Sequence, residues 1–363
     1  MVVELNKLLQ LVTDKSASDL HLTVGLPPTL RLHGNLRPLN LPKLLPEDTV
    51  SFMRAIAPER IQLELKEKGG GDFGFAFEKK ARFRVAVYNQ KGNVGISLRL
   101  IPTTLLGMDE IGLPPSTRNM LTRPRGLILV TGPTGSGKTT TLASMINFIN
   151  EEQDKHIITI EDPIEYYHDH KKSIVTQREV GIDIGGFGEA LRRALRMDPD
   201  VILVGEMRDL ETIQAAITAA ETGHLVFGTL HTTGAARTIN RIVDAFPVDQ
   251  QEQIRSQLST SLLAVISQIL MPRADKSSGI IAGFEIMMVT PAIEHLIRES
   301  QTHKITSSIQ TGAQQGMILL DDFLYNLFLQ KKITYQVMMK SAQNPGDLQS
   351  KIKQQTQTSS RKR

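Results

Sequence analysis

The 363-residue chain contains no cysteine, which excludes disulfide bridges and thiolate metal centres. It also lacks any apolar run approaching the roughly 18 to 20 residues that a membrane-spanning helix needs. Its start, Met1-Val2-Val3-Glu4-Leu5-Asn6, does not follow the basic-then-apolar order of a secretory signal. A protein of the cytoplasm, or of the cytoplasmic face of a membrane, is therefore expected. Excess charge of one sign is scarce too: 42 Lys and Arg stand against 38 Asp and Glu, a net +4, and three of the bases are the terminal Arg361-Lys362-Arg363. No basic stripe is interleaved with aromatics of the kind that stacks on single strands. Nucleic acid is not an expected partner.

What is present divides the chain into two folding regions. Leu5 to Val12 has the spacing of an amphipathic helix, Ser18-Asp19-Leu20-His21-Leu22 opens strand-like segments, and Pro46 to Lys68 reads as helical. Beyond Gly69-Gly70-Gly71, apolar residues alternate at Phe73, Phe75 and Phe77, at Phe83, Val85 and Val87, and at Ile96, Leu98 and Leu100. Period-two alternation predicts a small antiparallel sheet with one buried face. We expect a first domain over 1–101 and a linker over 102–115, where Pro102, Gly107, Gly112 and Pro114-Pro115 cluster. An α/β domain with a helical C-terminal portion is expected over 116–346, and a polar, disordered tail over 347–363. Within that second domain the pattern predicts a helix from about Pro247 to Leu270, ended by Pro272.

Repeated apolar runs ending in polar residues, separated by helical patterns, imply a mostly parallel sheet. Ligands of such sheets collect beyond the carboxyl ends of the strands. Four such ends carry chemistry. The first follows Leu127-Ile128-Leu129-Val130: Gly132, Pro133, Thr134, Gly135, Ser136, Gly137, Lys138 and Thr139 form a complete G-x-x-x-x-G-K-T loop that runs through Thr140 into a helix. Glycines let successive N–H groups converge on phosphate oxygens, Lys138 reaches the β- and γ-phosphates, and the Thr139 hydroxyl suits Mg²⁺. ATP is the expected ligand, with Mg²⁺. The second end is Glu161-Asp162-Pro163-Ile164-Glu165, where three carboxylates crowd within five residues. The third is Asp200-Val201-Ile202-Leu203-Val204-Gly205-Glu206, which places Glu206 where a metal-handling aspartate is usual. Asp200, at the start of that strand, reads as structural. The fourth spans His224 to His231; His231 emerges on the edge of Glu206 and Lys138, where it could sense a γ-phosphate. His168 and His170 lack a third ligand and read as loop residues.

Taken in order, Gly132 to Thr139, Glu161 to Glu165, Arg196 to Asp209 and Thr222 to His231 resemble the Walker A, Asp, Walker B and His boxes of the secretion and pilus motor ATPases. The likeness covers nearly the whole chain except the tail. It is strongest to the type IV pilus retraction ATPases: the chain begins almost directly with the Ser18 to Leu22 domain, it has no tetracysteine zinc insert, and Ala292 to Glu299 is similar to their AIRNLIRE segment. Glu294 and His295 depart from that segment. The resemblance implies a PAS-like α+β domain followed by a RecA-like P-loop ATPase domain. It implies Mg²⁺ held by Thr139 and Glu206, and a general base at Glu165 or at Glu161. Arginines that neutralise the γ-phosphate, some supplied by a neighbouring subunit, would be found among Arg82, Arg84, Arg99 and Arg208, and His224 would belong to the nucleotide site. It further implies a homohexameric ring whose linker, around Leu105 to Pro115, converts nucleotide state into domain rotation. Such a ring would work on an inner-membrane platform protein, peripheral to the membrane. The alternatives are a pilus extension or secretion motor of the same superfamily and a non-hydrolysing accessory subunit of a pilus machine, against which the full set of acidic and basic catalytic positions speaks; a RecA-type DNA motor would share the loop and the charge but leaves the Asp and His boxes unexplained.

Overall fold

The computed structural model describes residues 4–360 except 33, 79, 102–104 and 276–278, with no side-chain description for 354–360. It divides into two compact units, Met1–Leu105 with Pro163–Tyr167, and Leu106–Asp162 with His168–Arg363.

In the first unit, helix α1 (Leu5–Asp14) buries Leu5, Leu8, Leu9 and Val12, the i, i+3, i+4, i+7 stripe of an amphipathic helix. Strands β1 (Asp19–Leu22), β2 (Thr29–Leu32) and β3 (Asn35–Pro38) follow, then helices α2 (Pro46–Ile56) and α3 (Glu59–Lys68), then β4 (Gly70–Phe77), β5 (Ala81–Gln90) and β6 (Asn93–Ile101). The six strands form one antiparallel sheet in the order β3-β2-β1-β6-β5-β4. Phe83, Val85, Val87, Ile96 and Leu98 are buried while Arg84 and Arg99 are exposed, so alternation set which face packs. The expected single helical stretch from Pro46 to Lys68 is instead two helices. Pro58 forces Ala57 out of the helical region, to ψ 125, and Gly69 at φ +81 ends α3.

The second unit carries a seven-stranded sheet in the order β13-β12-β7-β11-β10-β8-β9. Its strands are β7 (Gly126–Thr131), β8 (His156–Glu161), β9 (Ile174–Glu179), β10 (Val201–Val204), β11 (Leu225–Leu230), β12 (Leu262–Pro272) and β13 (Ile280–Met288). All neighbours are parallel except β12 and β13. Every residue of β7, β10 and β11 is buried, as strands covered on both faces require. Helix α4 (Lys138–Glu152) packs on one face, contributing Leu142, Met145, Ile146 and Ile149. On the other face lie α5 (Phe187–Ala194), α6 (Leu210–Glu221), α7 (Ala235–Val243), α8 (Gln251–Ser261), α9 (Pro291–Arg298) and α10 (Ile305–Thr311). A C-terminal cluster gathers α11 (Leu320–Leu329), α12 (Tyr335–Ser341) and α13 (Pro345–Ser360) around Leu324, Met338 and Leu348. No helix among the described residues is long and apolar enough to cross a membrane.

Three expectations need correcting. The helix predicted over 247–270 stops at Ser261, and the apolar run that follows is β12, clasped between β7 and β13. A short apolar run buried on all sides carries no period that separates helix from strand. Of the expected linker, 102–104 lie outside the described residues, whereas Met108 and Leu113 are buried in the core of the second unit and Arg118 clamps Asp109 through two 2.7 Å bonds. The stretch from Asp347 is helical to Ser360, because Leu348 is buried in the C-terminal cluster and Lys351 pairs with Asp322; 361–363 lie outside the described residues.

Candidate nucleotide site

The loop 132–137 leaves the end of β7 and turns into the N-terminus of α4. Two of its glycines are required by contact as well as by dihedral angle. At Gly132, φ +145, a Cβ would sit 2.2 Å from the carbonyl oxygen of Gln268 and 2.6 Å from Ser136 Oγ. At Gly137, φ +86, it would sit 2.8 Å from Gln268 Nε2. Lys138 Nζ donates to the carbonyls of Gly132 (2.8 Å) and Pro133 (3.2 Å), so its ammonium is held over the loop. The buried hydroxyls of Thr131 and Ser136 make no hydrogen bond to described residues. A glycine cradle at a helix N-terminus, with an ammonium and buried hydroxyls around it, fits a polyphosphate.

Gln268 was not singled out in the sequence, because its segment read as helix. It is buried on β12 beside β7, and Thr141 of α4 donates to its Oε1 at 2.7 Å. It therefore ties the first turn of α4 to the sheet and closes the floor of the loop. The adjacent polar pair Ser267-Gln268 inside an otherwise apolar run was the available signal.

Parallel pairing brings the ends of β7, β11, β10 and β8 to one edge. There, Glu206 accepts from Arg208 Nε at 2.5 Å and its Oε1 lies 2.7 Å from His231 Nε2. Burial pushes the Glu206 carboxyl up, but the hydrogen bonds from Arg208 and His231 together outweigh it and hold the group below the usual carboxylate range. The same bond raises Arg208, with a smaller contribution from the charge of Asp162. Arg208, expected among the γ-phosphate arginines, is thus engaged by Glu206 of its own chain. Glu161, at the end of β8, accepts from Thr159 Oγ1 (2.7 Å) and Gln177 Nε2 (3.2 Å) on one oxygen.

His224 is not brought to this edge. It precedes Leu225 at the amino end of β11, donating from Nδ1 to the Ala219 carbonyl (2.9 Å). The six residues of β11 separate it from His231 by about 20 Å at ~3.3 Å per residue. The segment that resembles the His box runs the whole length of a strand, so its two histidines face opposite edges. Asp200 caps structurally, accepting from His156 N (2.9 Å) and Lys155 Nζ (3.2 Å). His168 is depressed to about 4, chiefly by burial, and His170 Nδ1 accepts from Val175 N at 3.1 Å.

The remaining candidates belong to the first unit. Arg99 Nε donates to Asp19 at 2.9 Å, with Arg31 3.6 Å from the same carboxylate, so the exposed Arg99 serves to pair the buried Asp19. Burial pushes Asp19 up, yet the bonds from Arg99 and Ser18 bring it below its ordinary value. The Arg82 guanidinium stacks 3.7 Å from the centroid of the Tyr167 ring, and Arg84 lies 3.9 Å from Glu165, whose side chain is one-third exposed.

A family model described as Type II/IV secretion system protein matches residues 1–362. The chain is 48% identical over 343 residues to the type IV pilus retraction ATPase PilT of Pseudomonas aeruginosa, covering 94% of this chain and 99% of that one. It is also 48% identical over 317 residues to a twitching motility protein of Neisseria gonorrhoeae, covering 87% and 84%. Among solved structures, that of the pilus retraction motor PilT with bound ADP superposes with a TM-score of 0.90 at 46% identity, over 96% of this chain and all of that one.

Proposed function

Because the chain belongs to the Type II/IV secretion system protein family, we propose that it is an ATP-hydrolysing motor that drives type IV pilus retraction. The observation that carries this reading is the complete phosphate loop, with Glu206 and His231 hydrogen-bonded to each other on the same sheet edge, in a chain 48% identical to a pilus retraction ATPase along nearly its whole length. The loop amides, Lys138 and the N-terminus of α4 would bind the phosphates of ATP. Thr139 and Glu206 would hold Mg²⁺, which supplies charge neutralisation on the β- and γ-phosphate oxygens. His231, fixed by Glu206, would report on the γ-phosphate. Glu165 is assigned as the general base, with Glu161 the alternative. Arg82 and Arg84, reaching a neighbouring subunit of a homohexamer, would offset charge developing in the transition state. The ring would act peripherally at the inner membrane on a platform protein at the base of the pilus.

Purified full-length chain is expected to turn over ATP, and Glu206→Gln to lower kcat by about 100-fold; equal rates would remove Glu206 from the mechanism. Deleting the gene in its own organism should leave cells piliated, with pili accumulating, and without twitching. Loss of pili instead would reassign the motor to extension.

A further inference from the structure

Glu285 is a buried carboxylate that the mechanism above does not use. It lies on β13, directly opposite Ser267 in the antiparallel register with β12, and is 5% exposed. The two side chains reach the same turn. Ser267 Oγ accepts from Gly234 N (2.9 Å) and Glu285 Oε1 accepts from Ala235 N (2.9 Å). Gly234 and Ala235 open α7, three and four residues after His231. The loop between is tied by Thr232 to Thr238 (2.7 Å) and by Thr238 to the Gly234 carbonyl (2.8 Å). His231 therefore meets Glu206 from a loop whose far end hangs on Ser267 and Glu285.

The other side of Glu285 faces the C-terminal helices. Gln343 Nε2 donates to its Oε2 at 3.3 Å, and the backbone of Leu320, which opens α11, donates as well. Gln343 is itself placed by Asp321: the amides of Gln343 and Asn344 donate to its two oxygens at 2.7 and 2.8 Å. Every one of these partners of Glu285 donates, which an ionised carboxylate satisfies and an amide cannot fully satisfy. Burial, and to a smaller extent the Asp321 charge, push the Glu285 carboxyl up against these hydrogen bonds, and the positive end of α7 works against that rise.

We propose that Glu285 is a positioning residue that couples the docking of the C-terminal helices to the placement of His231 against Glu206. Separation of α11 and the Gln343 turn from β13 would remove donors from Glu285, and the anchor of the His231 loop would loosen. This inference rests on the ATPase reading only for its effect on turnover; the coupling itself is a property of the apo protein.

The test uses the full chain, with Glu285→Gln, Gln343→Ala and His231→Ala singly and in pairs. Gln343 is exposed, so its replacement keeps the question open where Glu285→Gln does not fold. Hydrogen–deuterium exchange of the backbone over 230–238 is expected to speed up in Glu285→Gln and Gln343→Ala. ATP turnover in both should show kcat reduced by about twofold to thirtyfold, the range of about 0.5 to 2 kcal/mol typical of such coupling, with KM for ATP within about twofold. The loss of turnover should vanish in the His231→Ala background, as residues acting through one group are non-additive, whereas the faster exchange should persist there. Unchanged exchange in Gln343→Ala and Glu285→Gln, or additive losses with His231→Ala, overturns the proposal. Faster exchange in a chain whose wild type turns over no ATP supports the coupling and sinks the ATPase reading instead.

Discussion

Glu165→Gln is expected to lower ATP turnover by about 10² to 10⁴-fold, the contribution of a positioned general base, while nucleotide binding persists. Two carboxylates compete for the role, and their surroundings differ. Glu161 Oε1 already accepts from both Thr159 and Gln177, a setting that orients the side chain and occupies the lone pairs of that oxygen. Glu165 has a longer contact of 3.9 Å with Arg84, and its side chain is one-third exposed, leaving oxygens open to a water. Glutamine keeps the size and removes the proton-accepting charge. The comparison is therefore made with Glu161→Gln, for which a smaller loss with altered KM is expected, since it disturbs a strand end that shares its edge with the phosphate loop. Single-turnover hydrolysis measured beside equilibrium ATP binding separates the outcomes. Full loss in Glu161→Gln with a mild effect in Glu165→Gln would exchange the two assignments.

The architecture behind these assignments was legible wherever the chain announced it with long patterned runs. Leu127 to Thr131, His156 to Ile160, Val201 to Val204 and Leu225 to Leu230 are mostly apolar runs that lead into polar or glycine-containing exits, and all four are central parallel strands. Glycine spacing placed the phosphate loop because the dihedral angles at Gly132 and Gly137 admit no other residue without strain. Legibility failed where one pattern fits two structures. The run from Leu262 to Met271 is mostly buried and apolar on both faces and so shows no clear period, and with it went Gln268, Ser267 and the role of Glu285. It failed again where partners are remote in sequence: nothing in Pro163-Ile164-Glu165-Tyr166-Tyr167 signals that these residues cluster with the first unit. The resemblance offers Arg208 and Arg99 alike as γ-phosphate arginines, and only their partners, Glu206 and Asp19, distinguish them. His224 and His231 flank β11 as the sequence indicates, and the strand between them sets only His231 on the edge of Glu206.

Lys138→Ala should abolish both turnover and the stabilisation that ATP confers. The ammonium is held over the loop by the carbonyls of Gly132 and Pro133, where it is the side-chain charge nearest the glycine cradle in sequence. ATP at about 1,000 times its dissociation constant would stabilise the wild-type fold by ~4 kcal/mol, a rise in Tm of several degrees. Removing Lys138 also deletes two hydrogen bonds worth about 1 kcal/mol each, so the apo Tm should fall slightly while the ATP-dependent rise disappears. Lys138→Arg separates charge from geometry. A guanidinium keeps the charge but presents a planar fork in place of a compact point donor to the converging carbonyls of Gly132 and Pro133. The arginine variant is therefore expected to recover part of the apo Tm and little turnover. An ATP-dependent rise in Lys138→Ala equal to that of the wild type would mean that the nucleotide is held elsewhere, and with it the roles of Thr139, Glu206 and His231 would have to be assigned anew.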